Sequence, residues 1–160
     1  MFTRPRFLTS AAVAVVAAAT LAGCASDDAS ATDPLEVTDP WVTTATPEDM
    51  MSAAFATLTN TTDADITIVA ATSDVSPEIQ LHEVVDGAMQ EKDGGFVVPA
   101  GESLVLEPGG LHLMLIGLPE AVVAGDAVDF RLELADGGTV AFTATAKDFD
   151  GANEDYGDEG

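Results

Sequence analysis

Cysteine and histidine are both scarce in this sequence. There is one cysteine, Cys24, and there are two histidines, His82 and His112. Because Cys24 lies near the N-terminus, the rest of the chain has neither a disulfide nor a thiolate for catalysis or metal binding. This absence excludes a cysteine-based structural zinc site and a blue-copper site, which both need thiolate ligands.

Basic residues are also few. Five Lys and Arg residues stand against 28 Asp and Glu residues, which gives a formal net charge of −23. A surface this acidic repels nucleic acid and anionic lipid headgroups, so neither is expected as a partner. We interpret most of the charge as a solubilising coat.

The N-terminus has the order of features that a secreted lipoprotein requires. The basic segment "MFTRPRF" is followed by "LTSAAVAVVAAAT", which is too short to span a bilayer, and then by "LAGC". "LAGC" resembles the bacterial lipobox, in which a peptidase cuts before the cysteine. The resemblance implies that residues 1–23 are a signal peptide, that Cys24 is lipidated, and that the protein is anchored on the extracytoplasmic face of the cell membrane.

The remaining chain divides into three parts by composition. Residues 24–34 carry the lipidated cysteine and a small, acidic tether, and residues 148–160 form an acidic, glycine-rich tail that is expected to be disordered. Between them, residues 35–147 are long enough for one domain with its own core. Short strand-like segments with frequent turn signals, and almost no helical periodicity, predict an all-β Greek-key sandwich or barrel here.

The segment "PGGLHLML" raises a specific question about its histidine. Side chains alternate along a strand, so Leu111, Leu113 and Leu115 point to one face, and His112 and Met114 point to the other. The same alternation places His82 on the polar face of "EIQLHEVV". We expect neither histidine to be a core residue bonded to a backbone carbonyl.

Met89 is interpreted as part of a hairpin connection, "DGAMQEKDGG", where an apolar side chain has little packing role. His82, Met89, His112 and Met114 together offer two imidazoles and two thioethers. Thioethers are soft, weak donors that select monovalent copper, whereas imidazole accepts copper and zinc alike. This set therefore predicts a Cu(I) site placed near the surface.

These segments resemble the PCu(A)C family of periplasmic Cu(I) chaperones over nearly the whole domain. "VTDPWV" and "MSAAFATLTN" are similar to the first two strands of that family, and "IQLHEVVDGAMQEKDGGFVVPAG" and "LEPGGLHLMLIGL" to its metal-site half. The resemblance implies a cupredoxin-like fold, with His82, Met89, His112 and Met114 as the Cu(I) ligands.

The spacing between the first two ligands departs from the family. Six residues separate His82 from Met89, where the family usually has about ten. If the hairpin is shortened elsewhere, Glu91 occupies the position of the second ligand instead of Met89, and the site is three-coordinate. Met50 and Met51 precede the second strand, where packing is the expected role and an auxiliary copper contact the alternative.

The function implied by the resemblance is copper delivery outside the cytoplasm. The recipient would be an apo-cuproprotein, such as the copper centre of cytochrome c oxidase subunit II. No nucleophile–base pair or catalytic carboxylate pair is evident, so no enzyme is predicted. Two alternatives stay open: an acidic β-sandwich lipoprotein that acts as an interaction module, and a copper-sequestering resistance protein.

Overall fold

The computed structural model describes residues 33–149. The predicted signal peptide, Cys24, most of the tether and residues 150–160 of the tail lie outside the described residues. The described part contains ten strands and no helix, and so no helix long and apolar enough to cross a membrane. The strands are Leu35–Thr43 (β1), Met51–Asn60 (β2), Ile66–Ser73 (β3), Glu78–Val85 (β4), Ala88–Glu91 (β5), Phe96–Val98 (β6), Ser103–Leu106 (β7), His112–Ile116 (β8), Ala127–Leu134 (β9) and Thr139–Lys147 (β10).

The strands pair in the order β5-β4-β8-β2-β1-β10-β9-β3-β6, with β7 on the second half of β2. Most neighbours in this order are not consecutive in the sequence, as Greek-key connections require. The pairing is antiparallel except between β1 and β10, which are parallel. The all-β prediction is confirmed.

The hydrophobic core lies on one face of these strands. Along β9 the residues alternate strictly between exposed and buried, as expected for a strand with one solvated face. Leu113 and Leu115 of β8 are fully buried in this core, and Leu111 packs against it. The predicted leucine face of β8 is thus confirmed.

The region after β4 differs from its prediction. Instead of a long hairpin connection over residues 86–95, only Asp86 and Gly87 form the turn, and residues 88–91 return as β5. Asp86 and Gly87 both have positive φ, 54° and 84°, as a two-residue type I′ turn requires.

Candidate metal centre

Adjacent strands bring the two histidines together. β4 and β8 are antiparallel neighbours, and His82 lies directly opposite His112 in their register. The two imidazole centroids are 5.4 Å apart. An imidazole nitrogen binds a metal at about 2 Å, so two rings that share one tetrahedral ion have centroids about 5 Å apart. The observed spacing fits shared coordination of a single ion.

His112 is more deeply buried than predicted. Only 2% of its surface is exposed, and its Nδ1 lies 3.1 Å from the carbonyl oxygen of Gly110. The expectation that it is not bonded to a backbone carbonyl is therefore wrong. Because a carbonyl only accepts, Nδ1 carries the proton and Nε2 carries the lone pair. This bond leaves the ring suited to bind a metal through Nε2.

His82 is half-buried and is held by a side chain of its own strand. Its Nε2 lies 2.8 Å from Oε1 of Gln80, whose amide nitrogen donates to Oε1 of Glu78 at 2.6 Å. Its other nitrogen, Nδ1, is buried and has no hydrogen-bond partner among the described residues. Nδ1 is therefore the ring nitrogen of His82 that is available to a metal ion.

The electrostatic surroundings of His82 favour its neutral form. Burial holds the pKa of His82 below its ordinary value of 6.5, and the nearby His112 lowers this pKa further. The carboxylate of Glu91 acts in the opposite direction, but its effect is the smallest of the three. A neutral imidazole is the form that binds metal, so this environment favours coordination.

Met114, Gln80, His82 and His112 form a block of four side chains on the same face of β4 and β8. Met114 is 3% exposed and lies opposite Gln80 in the β4–β8 register, next to the His82–His112 pair. It does not belong to the main core cluster. The predicted placement of His112 and Met114 on the face opposite the leucines is consistent with this register, but both residues are buried rather than lying on an open polar face.

Met89 and Glu91 both lie on β5 and share the outer face with His82. Glu91 is directly opposite His82, whereas Met89 is opposite Val84 and therefore diagonal to His82. Long side chains can contact each other across such a diagonal. Met89 is half-buried within a strand, so its predicted position in a loop is wrong.

A series of neighbouring aromatic rings begins beside His112. Phe55, on β2, has its ring centroid 6.3 Å from that of His112, and the Trp41 ring lies tilted by 33° against Phe55 at a centroid distance of 4.5 Å. Phe149 contacts Trp41 edge-on at 5.3 Å. These rings come from β2, β1 and the segment after β10, so sequence spacing alone does not indicate them.

The two adjacent methionines Met50, just before β2, and Met51, its first residue, differ in their surroundings. Met50 is 61% exposed with a φ of 57°, so its predicted packing role is wrong. Met51 is half-buried and lies opposite Ile116 on β8. By alternation along β2, it shares the outer face with Phe55.

Hard ligands alone do not form a metal site in this part of the chain. Within residues 33–149, no three His, Cys, Asp or Glu side chains come together in a way that could hold a metal ion. A site at His82 and His112 must therefore take further ligands from elsewhere, and Met114 and Met89 are the soft donors on the same face.

Sequence comparison identifies relatives over most of the chain. Residues 35–146 match the family described as "Putative lipoprotein LpqE-like". "Putative lipoprotein Lxx21020" of Leifsonia xyli subsp. xyli (strain CTCB07) is 42% identical over 128 residues, which cover 78% of this chain and 76% of that protein.

Solved structures with the same fold include copper-binding domains. The Cu(I) form of DR1885 from Deinococcus radiodurans is 30% identical with a TM-score of 0.57, over 77% of this chain and 85% of that chain. The copper-bound PCuAC domain from PmoF2 has a TM-score of 0.62 over 72% and 94% of the two chains. At 17% identity, the second likeness concerns the fold alone.

Proposed function

Because the chain belongs to the LpqE-like lipoprotein family and has the PCuAC-type fold, we propose that it is a copper chaperone that binds one Cu(I) ion at His82, His112, Met114 and Met89. The observation that carries this proposal is the cross-strand pair of histidines with Met114 beside it. The Cu(I) form of DR1885 supports the choice of metal.

The chemistry of the donors favours Cu(I) over harder ions. Two neutral imidazoles and two thioethers suit a soft, monovalent ion, whereas zinc and calcium sites depend on thiolate, carboxylate or additional imidazole ligands. The alternative places Glu91 at the position of the second ligand, which leaves a three-coordinate site. We favour Met89, because His82, His112 and Glu91 do not converge as a hard-ligand site.

The depth of the ligands supports transfer rather than permanent storage. His112 and Met114 are buried, whereas His82 and Met89 are only half-buried, so one side of the ion would remain accessible to a partner. Each thioether bond is weak and can exchange separately. The proposed recipient is an extracytoplasmic apo-cuproprotein such as cytochrome c oxidase subunit II, with a lipid on Cys24 holding the chaperone at the membrane.

The first test removes one sulfur while preserving side-chain volume. Met114→Leu keeps the packing, since such exchanges cost less than about 1.5 kcal/mol, but it removes a soft ligand. In a Cu(I) titration against a chromophoric chelator, we expect one tightly bound ion in the wild type, a large loss of affinity in Met114→Leu, and unchanged binding in the exposed control Met50→Leu.

Equal affinity of the wild type and Met114→Leu would contradict the ligand set and favour the interaction-module alternative. Delivery is tested separately by mixing the Cu(I)-loaded protein with an apo copper-binding fragment of the oxidase. Retention of the ion by a protein that binds it tightly would identify sequestration.

A further inference from the structure

We propose that Gln80 is a positioning residue that holds His82 in the tautomer whose Nδ1 lone pair faces the copper ion, with Glu78 fixing the orientation of Gln80. This inference rests on the proposed function and adds two residues that are not themselves ligands. It follows from a line of three side chains on the outer face of β4.

The three side chains form a continuous line of hydrogen bonds. The residues are spaced two apart on β4, so their side chains project from the same face. Oε1 of Glu78 accepts from the amide of Gln80 at 2.6 Å, and Oε1 of Gln80 lies 2.8 Å from Nε2 of His82. The amide therefore connects an exposed carboxylate to a half-buried imidazole.

The direction of these bonds follows from the chemistry of their ends. An ionised carboxylate only accepts, so the NH₂ group of Gln80 must face Glu78. Oε1 of Gln80 then faces His82 and can only accept, so Nε2 of His82 must donate. In a neutral ring the lone pair is consequently on Nδ1.

The other nitrogen of the His82 ring, Nδ1, is the one without a partner among residues 33–149. Nδ1 of His82 is buried, and the part of the chain that the structure describes offers it no hydrogen-bond partner. Leaving a buried acceptor unsatisfied is unfavourable, so such groups in native proteins need a specific explanation. A metal ion bound at Nδ1 provides one.

The two histidines are therefore prepared to bind through different nitrogens. The Gly110 carbonyl directs His112 to bind through Nε2, and the Gln80 amide directs His82 to bind through Nδ1. Gln80 also lies opposite Met114, so it borders two of the proposed ligands. Partners of this kind hold a metal-binding ring in place, and their loss typically lowers affinity 10–100-fold.

The experiment compares three variants of the purified protein. Gln80→Leu removes the acceptor, Gln80→Glu keeps a carboxylate oxygen that can accept from Nε2, and Gln90→Leu is the matched control. Gln90 is on β5 and pairs with Glu83, on the face away from His82. Cu(I) affinity is measured by chelator competition. The tautomer of His82 is measured by NMR in the copper-free protein at pH 8, from the ¹⁵N chemical shifts of the imidazole nitrogens.

We expect the Nε2–H tautomer of His82 in the wild type and in Gln80→Glu, and a mixture of tautomers in Gln80→Leu. Cu(I) affinity should fall about 10–100-fold in Gln80→Leu, recover in Gln80→Glu and stay unchanged in Gln90→Leu. A role in packing alone would not move the tautomer, and a carboxylate would not rescue it.

The inference is overturned if Gln80→Leu keeps both the wild-type affinity and the wild-type tautomer, or if Gln90→Leu loses as much affinity as Gln80→Leu. His112→Ala separates this result from failure of the proposed function. If His112→Ala abolishes Cu(I) binding while Gln80→Leu does not change it, the result supports the copper site and contradicts the positioning role of Gln80. If the wild type does not bind Cu(I), the result contradicts both the proposed function and the positioning role of Gln80.

Discussion

At the scale of single residues, the surroundings of His82 and His112 assign them different tasks. His112 is buried on β8, which lies between β4 and β2, its ring is near that of Phe55, and a backbone carbonyl holds its orientation. His82 is half-buried and held by a side chain. In the proposed copper site, a buried ligand would lie beside a more accessible one, and a carrier needs this arrangement because the ion can leave from the accessible side first.

The lowered pKa of His82 makes a prediction for the copper-free protein. In the unfolded chain His82 takes up a proton near pH 6.5. In the folded protein burial and the nearby His112 lower its pKa, so the ring stays neutral to lower pH; Glu91 raises the pKa, but by less. The unfolded state then binds more protons, so His82 lowers stability as the pH falls below 6.5 until the folded pKa is passed. Above 6.5 this penalty is absent.

The measurement is the free energy of unfolding from pH 7.5 to 5, compared between the wild type and His82→Gln. All carboxylates are common to both proteins, so their titration affects the two curves alike. We expect the wild type to lose stability relative to His82→Gln within this window. Parallel curves would show that folding does not perturb His82.

Strand alternation was sufficient to predict that two of the proposed ligands share a face. It placed His112 and Met114 opposite Leu113 and Leu115, and the register of β8 agrees with this. It could not predict burial on that outer face, because Phe55, whose ring lies beside His112, and Trp41, whose ring lies beside Phe55, are more than 50 residues from His112 in the sequence. Gln80 could have been noted from its position two residues before His82, but its role depends on hydrogen-bond directions.

At the scale of elements, the β4–β5 hairpin determines where Met89 lies. The two-residue turn pairs Val85 with Ala88, which returns Met89 to the face of His82 after only six intervening residues. The sequence "AMQE" did not indicate a strand, because it contains no β-branched or aromatic residue. Its strand conformation depends on pairing with β4 and on the turn.

Two consecutive glycines before β6 allow a controlled test of element packing. Gly94 and Gly95 have nearly the same φ, 79° and 78°, so alanine at either position incurs the left-handed backbone cost of about 1–2 kcal/mol. A Cβ at Gly94 would meet nothing within 4 Å, whereas one at Gly95 would lie 2.0 Å from the carbonyl oxygen of Ile68.

We therefore expect Gly95→Ala to be much more destabilising than Gly94→Ala, because β3 and β6 must separate to admit the methyl group. Urea unfolding of the two variants gives the comparison, with Gly94→Ala as the control for backbone strain. Equal losses of stability would mean that the close approach of Gly95 to Ile68 does not constrain this part of the sheet.

At the scale of the whole molecule, net charge is the dominant electrostatic feature. Lys92 pairs with Glu83 at 2.6 Å, and Lys147 lies 5.9 Å from the Trp41 ring centroid. With five basic residues for 28 acidic ones, the chain has too few cations to offset the repulsion among its carboxylates. Composition alone was enough to establish this property, since it depends on the number of charges more than on the fold.

Mutual repulsion of this kind opposes folding, because the compact state brings the carboxylates closer together than the unfolded chain does. Salt shortens the Debye length from about 30 Å at 0.01 M to about 3 Å at 1 M and so screens the repulsion. We expect the Tm of the copper-free protein to rise by several degrees between these concentrations of sodium chloride, since about 1 kcal/mol shifts the Tm of a domain of this size by roughly 4 °C.

Potassium chloride should give the same rise, because screening depends on ionic strength and not on the cation. A Tm that stays constant or falls would show that the folded domain already disperses its charge, and that its acidity serves solubility at no cost to stability.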